Sequence, residues 1–140
     1  MTSSSDGNEH SAAGEVRAIV VGHGSYPEGM IDAVDRITGR GHLLLGVSNR
    51  DLSAGEIETR LRECTATTGV KVFFSDLPAG SATLAVRRLL RDHTDCVLVT
   101  GANLAALLDF VFQPPMSAVD AAHHAAEKGR LAVLVNGGAS

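Results

Sequence analysis

Apolar residues gather in five short runs along the chain: Arg17 to Val21, His42 to Val47, Val70 to Ser75, Asp95 to Val99, and Arg130 to Val135. Each has strand length, and the segments between them repeat their apolar positions at helical spacing. Such alternation predicts an α/β fold, a three-layer sandwich with a mainly parallel, doubly wound sheet of five strands.

Helix boundaries are marked by residue chemistry. Ser25 with Glu28, Ser53 with Glu56, and Ser117 with Asp120 have capping-box spacing, the Asp version being the weaker. The first helix then runs from Tyr26 to Thr38 with Met30, Ile31, Val34 and Ile37 inward. The second covers Ala54 to Thr65 on Ile57 and Leu61. The third starts near Ser81 and carries Leu84, Val86, Leu89 and Leu90. The fourth runs from Asn103 to Phe112, closed by Gln113-Pro114-Pro115, and the fifth from Ala118 to Lys128 with Gly129 as terminator. No repeat or long linker divides the chain. Residues 1–15, rich in Ser, Gly, Ala and polar residues, read as a disordered tail ahead of one domain over 16–140.

Composition narrows the classes. A chain of 140 residues with 44% hydrophobic content supports one core and is too short for two domains. The net charge is -4, the lysines are only Lys71 and Lys128, and the arginines are scattered, so no nucleic-acid footprint is expected. No apolar stretch approaches membrane-spanning length and the opening lacks a signal-peptide core, which predicts a cytoplasmic protein without membrane insertion. Cys64 and Cys96 lack metal or redox spacing and read as buried free thiols.

The candidate chemistry starts at His23. In Val20-Val21-Gly22-His23-Gly24-Ser25 an apolar run stops at an imidazole between two glycines. Open α/β sheets put their chemistry just past the carboxyl ends of strands. A histidine there can act as nucleophile, base or metal ligand, although a lone Gly-His-Gly more often fills a turn. The second strand end that changes the balance is Ser75-Asp76-Leu77-Pro78-Ala79-Gly80-Ser81, an acid followed by Gly-Ser at a helix start. If the first and third strands are neighbours, the Asp76 carboxylate can accept a hydrogen bond from Nδ1–H of His23, fix the tautomer and leave the Nε2 lone pair outward. Amides at Gly24-Ser25 and Gly80-Ser81 head two helices and would cradle an anion. Imidazole, carboxylate and helix-end amides suit a phosphoryl group held on histidine. With no Gly-x-x-x-x-Gly-Lys-Ser/Thr loop, a phosphorylated protein is a better donor than a nucleotide, and no cofactor or metal is expected.

Val21-Gly22-His23-Gly24-Ser25 with Glu28-Gly29-Met30, then Asp76 to Ser81, then Thr100-Gly101-Ala102-Asn103-Leu104 with Leu107-Leu108, resemble the IIA component of the mannose-type sugar phosphotransferase system. The resemblance covers roughly Arg17 to Phe112 in order. It implies a phosphocarrier that accepts a phosphoryl group from phospho-HPr on Nε2 of His23 and passes it to a IIB component for sugar uptake. Asp76 would orient the ring, and Ser81 with the nearby amides would contact the phosphate. It also implies a homodimer in which the last strand, around Arg130 to Val135, runs antiparallel and is exchanged between subunits. One departure is visible: the paired glycine usual before the serine is Ala79-Gly80 here, preceded by Pro78.

Two other readings begin from the same residues. In the small tetrapyrrole chelatases a His-Gly-Ser after a strand binds or delivers a divalent metal. A regulatory phosphohistidine protein, such as a dihydroxyacetone-kinase phosphocarrier, would share the site chemistry without transport. A chelatase needs a second histidine at a strand end. His42 opens the second strand at the opposite edge, His93 closes the third helix, His123 and His124 diverge on a polar helix, and His10 lies in the tail. Arg87, Arg88 and Arg91, like Asp32 and Asp35, read as solvated faces, and Asn103 as a helix cap.

Overall fold

The structure, a computed structural model, describes residues 15–139. The tail expected over 1–15 therefore lies outside the described residues except for Glu15, whose Oε2 sits 3.0 Å from Nε2 of His42. Four strands form one sheet: β1 (Ala18–Gly22), β2 (Leu44–Ser48), β3 (Val72–Ser75) and β4 (Val97–Val99). All pairings are parallel, in the order β2-β1-β3-β4. Five helices are described: α1 (Tyr26–Thr38), α2 (Ala54–Thr68), α3 (Ser81–Asp92), α4 (Leu104–Phe112) and α5 (Ala118–Leu131), with a short 3-10 turn at Gly41–Leu43 before β2.

Two cores lie on opposite faces of the sheet, which is why its strands read as continuous apolar runs rather than alternating ones. Ala18, Val20, Leu44, Val72 and Phe74 pack with Val34 of α1, Ala106, Leu107 and Phe110 of α4, and Ala121, Ala122 and Ala125 of α5. Ile19, Val21, Val47 and Phe73 pack with Ile57 and Leu61 of α2 and with Ala82, Ala85, Val86 and Leu89 of α3. The three-layer, doubly wound architecture is as expected. Cys96 is buried and Cys64 half-buried, both as free thiols.

The fifth strand is a correction. Arg130 and Leu131 finish α5, and 132–139 carry no strand, so the described sheet has four strands rather than five. Gly129, the expected terminator, is instead buried inside the helix. A Cβ there would meet Asn103 Oδ1 at 2.8 Å and Ala106 Cβ at 3.1 Å, so the glycine lets α5 lie close on the start of α4. Asn103 Nδ2 donates to the Gly129 carbonyl at 2.9 Å and holds the helix through that point. Beyond it, Val133, Leu134 and Val135 are 72%, 74% and 95% exposed.

Smaller differences on the helices share one cause: spacing marks a helical face without saying how wide it is. Ile37 and Leu84 are exposed, while Ala82 and Ala85 fill the core side of α3. His42 falls in the 3-10 turn rather than in β2.

Candidate functional site

In this strand order the chain leaves β1 toward β2 on one side, while β3 and β4 lie on the other. The connections therefore diverge between β1 and β3, and a crevice opens at their carboxyl ends. Val21 pairs with Ser75, so His23 and Asp76 emerge side by side. Asp76 Oδ2 lies 2.8 Å from His23 Nδ1 and also accepts the His23 backbone N–H at 2.8 Å. An ionised carboxylate only accepts, so Nδ1 carries a proton, and in the neutral ring this leaves the lone pair on Nε2.

The imidazole is 48% exposed and the Asp76 side chain 13%. Burial alone would raise the Asp76 carboxyl. The His23 N–H and ring outweigh it and hold the group below its ordinary value. Asp76 Oδ1 is buried without a hydrogen-bond partner among the described residues.

Glycine makes this approach geometrically feasible. A Cβ on Gly22 would stand 2.6 Å from Tyr26 Cδ2 and 2.8 Å from Asp76 Cγ, inside contact distance of both. Gly80, with φ +107°, faces the imidazole: a Cβ there would lie 3.1 Å from His23 Cε1 and 3.5 Å from Nε2. A side chain at Gly80 would therefore crowd the free nitrogen as well as strain the backbone. Gly80 starts α3 without a side-chain cap, and Ser81 is the first helical residue.

The segment from Asp76 to Gly80 is tied beneath by a buried hydroxyl pair. Ser75 Oγ and Thr83 Oγ1 are 2.8 Å apart, and both donate to the Leu77 carbonyl, at 3.2 and 2.6 Å. On the other side, Tyr26 Oη donates to the Ala102 carbonyl at 2.7 Å and pins α1 to the end of β4. Burial first, and the Asp76 charge second, push the Tyr26 phenol well above its ordinary value.

All six expected residues, His23, Asp76, Gly24, Ser25, Gly80 and Ser81, line this rim. Two depart from their assigned behaviour. Ser25 makes no side-chain cap, because its φ/ψ of -91°/11° is outside the extended region a capping serine needs. The Gly24 N–H is already taken by Asn49 Oδ1 at 3.2 Å.

Asn49 is a residue that motif reading missed. Its Nδ2 reaches Ser81 Oγ at 3.4 Å and its backbone N–H donates to the Gly22 carbonyl at 2.9 Å, so one side chain joins the β1 loop to α3. Ser48 Oγ donates to the Gly24 carbonyl at 2.7 Å. The signal for both was their place at the end of β2, which means something only once β2 is known to border β1.

The other histidines among the described residues lie away from the crevice. His93 closes α3, and His124 Nδ1 pairs with Asp109 Oδ2 at 2.8 Å between α5 and α4. Among the described residues, no three His, Cys, Asp or Glu side chains converge as a metal-binding group. No described helix is long and apolar enough to cross a membrane.

No protein-family model matches the sequence, and no curated protein matches it either. Solved structures do. The mannose/sorbose-specific IIA subunit of the phosphotransferase system from Enterococcus faecalis superposes with a TM-score of 0.76 at 16% identity, over 90% of this chain and 98% of that one. Phosphotransferase system component EIIA from Streptococcus agalactiae gives 0.69 at 21% identity, over 86% and 96%. The IIA protein associated with the fucose utilization operon of Streptococcus pneumoniae gives 0.68 at 15% identity, over 87% and 93%. Likeness at such low identity and nearly full mutual coverage is a likeness of fold, and the chain has the fold of the mannose/sorbose-type phosphotransferase IIA proteins.

Proposed function

We propose that the chain is a cytoplasmic phosphocarrier of a sugar phosphotransferase system. It takes a phosphoryl group from phospho-HPr on Nε2 of His23 and hands it to a IIB component. The observation that carries this reading is the 2.8 Å bond from Nδ1 to a shielded carboxylate, on a ring that stays half exposed.

In the transfer, the Nε2 lone pair forms a bond to phosphorus as the donor's N–P bond breaks and its electron pair returns to the donor imidazole. Asp76 keeps the Nδ1 proton in place throughout and stabilises positive charge developing on the ring. The arriving phosphoryl oxygens meet the first amides of α1 and α3, at Ser25, Gly80 and Ser81, whose partial positive charge suits them. Gly24 contributes its left-handed turn, φ +54°, while its N–H stays with Asn49. Passing the group on to IIB reverses the same steps.

The same reading makes the protein a homodimer. Leu131, Val133, Leu134 and Val135 are exposed, and Val133 shares a pocket with Val99 of the edge strand β4. A groove of about 280 Å³ lined by Val97, Val99, Val119, Ala122 and Ala126 runs along that edge. A second subunit covering it would bury apolar surface that one chain leaves in water.

The deciding experiment is incubation with phosphoenolpyruvate, the general first enzyme and HPr. The expected product is an acid-labile, base-stable phosphoryl label that disappears in His23→Ala. Absence of label on the wild-type chain rejects the reading.

A further inference from the structure

A phosphoryl group on Nε2 brings a charge of about -1.5 to -2 to a rim that already holds the Asp76 carboxylate. The N-terminus of each helix offers only about half a positive charge. A full cation stands close by, without an ion-pair partner among the described residues. Arg50, on the turn after β2, is exposed and enters none of the ion pairs among the described residues. Its Nη2 lies 3.6 Å from where a Cβ on Gly24 would be, next to His23 in the chain.

The backbone beneath it is held firmly. The Arg50 N–H donates to Ser48 Oγ at 3.1 Å, and that hydroxyl donates to the Gly24 carbonyl. Asn49 accepts the Gly24 N–H. The turn therefore grips both peptide groups of Gly24 and carries the guanidinium along with the His23 loop. Asp51 follows at φ 61°, a left-handed position few side chains adopt, which reverses the chain directly behind Arg50.

We infer that Arg50 is a phosphate-binding residue of this site, closing over the phosphoryl group on His23 from the β2 side, opposite Gly80 and Ser81. A guanidinium suits the task because its N–H groups match two phosphoryl oxygens at once, which an ammonium cannot do. The inference rests on the carrier reading for the biological source of the phosphoryl group.

The test removes that dependence by loading His23 chemically. With potassium phosphoramidate, the imidazole nitrogen forms the N–P bond while the reagent's P–N bond breaks and ammonia leaves. The phospho-His23 phosphorus resonance, assigned by its loss in His23→Ala, is then titrated with pH. Arg50 contact favours the dianion. The second ionisation of the phosphoryl group should therefore lie about half a pH unit or more lower in the wild type than in Arg50→Gln, with Arg50→Lys between them. The His23 amide resonance, held by Asp76, reports whether the loop is intact in each variant. Coincident titrations of wild type and Arg50→Gln with that resonance unchanged overturn the inference. A clear difference here, alongside no labelling by phospho-HPr, would retire the carrier reading and leave Arg50 as a phosphate ligand.

Discussion

At the residue scale, Asp76 both orients the His23 ring and anchors its backbone through one oxygen. Asp76→Asn keeps the size and loses the charge, so the tautomer is no longer enforced. Phosphorylation of His23 should slow roughly tenfold or more, with the fold retained, as measured by rapid-quench labelling. An unchanged rate removes the orienting role.

The same pair makes a pH prediction. The folded carboxyl sits below its ordinary 3.8, so its stabilisation is present above that value and is lost as pH falls through the lower, folded one. The stability gap between wild type and Asp76→Asn in urea should therefore narrow below about pH 4. A gap independent of pH contradicts the assignment.

His23, Asp76, Gly80 and Ser81 were legible because each stands where an apolar run ends or a helix begins. Asn49, Arg50, Thr83 and Tyr26 were not. They act through partners 25 to 76 residues away or, for Thr83, through a hydroxyl buried against Ser75.

At the scale of elements, three capping serines with similar sequence spacing behave differently. Ser53 and Glu56 form the reciprocal box, with bonds of 3.2 and 2.8 Å, and Ser117 accepts from the Asp120 N–H at 3.1 Å. Ser25 does neither, because the His23 loop is shaped by Asp76, Ser48 and Asn49 rather than by the helix it precedes. Ser53→Ala should cost about 1 kcal/mol in urea unfolding, and Ser25→Ala less than about half of that. Equal costs would mean that Ser25 caps α1 after all. Helix α5 makes the complementary point. A glycine followed by an apolar run looks like a stop and a strand, yet packing on Asn103 and Ala106 carries the helix past it.

For the whole molecule, the consequential feature is the order β2-β1-β3-β4, which sets β1 between its two neighbours and opens the crevice at their carboxyl ends. The open edge at β4 and the exposed Val133 to Val135 make a prediction at this scale. Sedimentation should find a dimer, and the double variant Val133→Asp with Val135→Asp should be a monomer. A monomeric wild-type protein removes the dimer from the proposal.

Sequence by itself determined the fold class, four strands within a few residues, the helix starts and the His23 and Asp76 pair that meets in the crevice. Those signals are local: an apolar run, a cap, a breaker, an acid just past a strand. Tertiary structure alone decided that β1 and β3 are neighbours, that the β2 turn grips the His23 loop, and that Arg130 to Val135 forms no strand in this chain. A strand exists only if an edge accepts its N–H and C=O groups, and a site exists only if distant strand ends meet. Both depend on partners that the local pattern does not name.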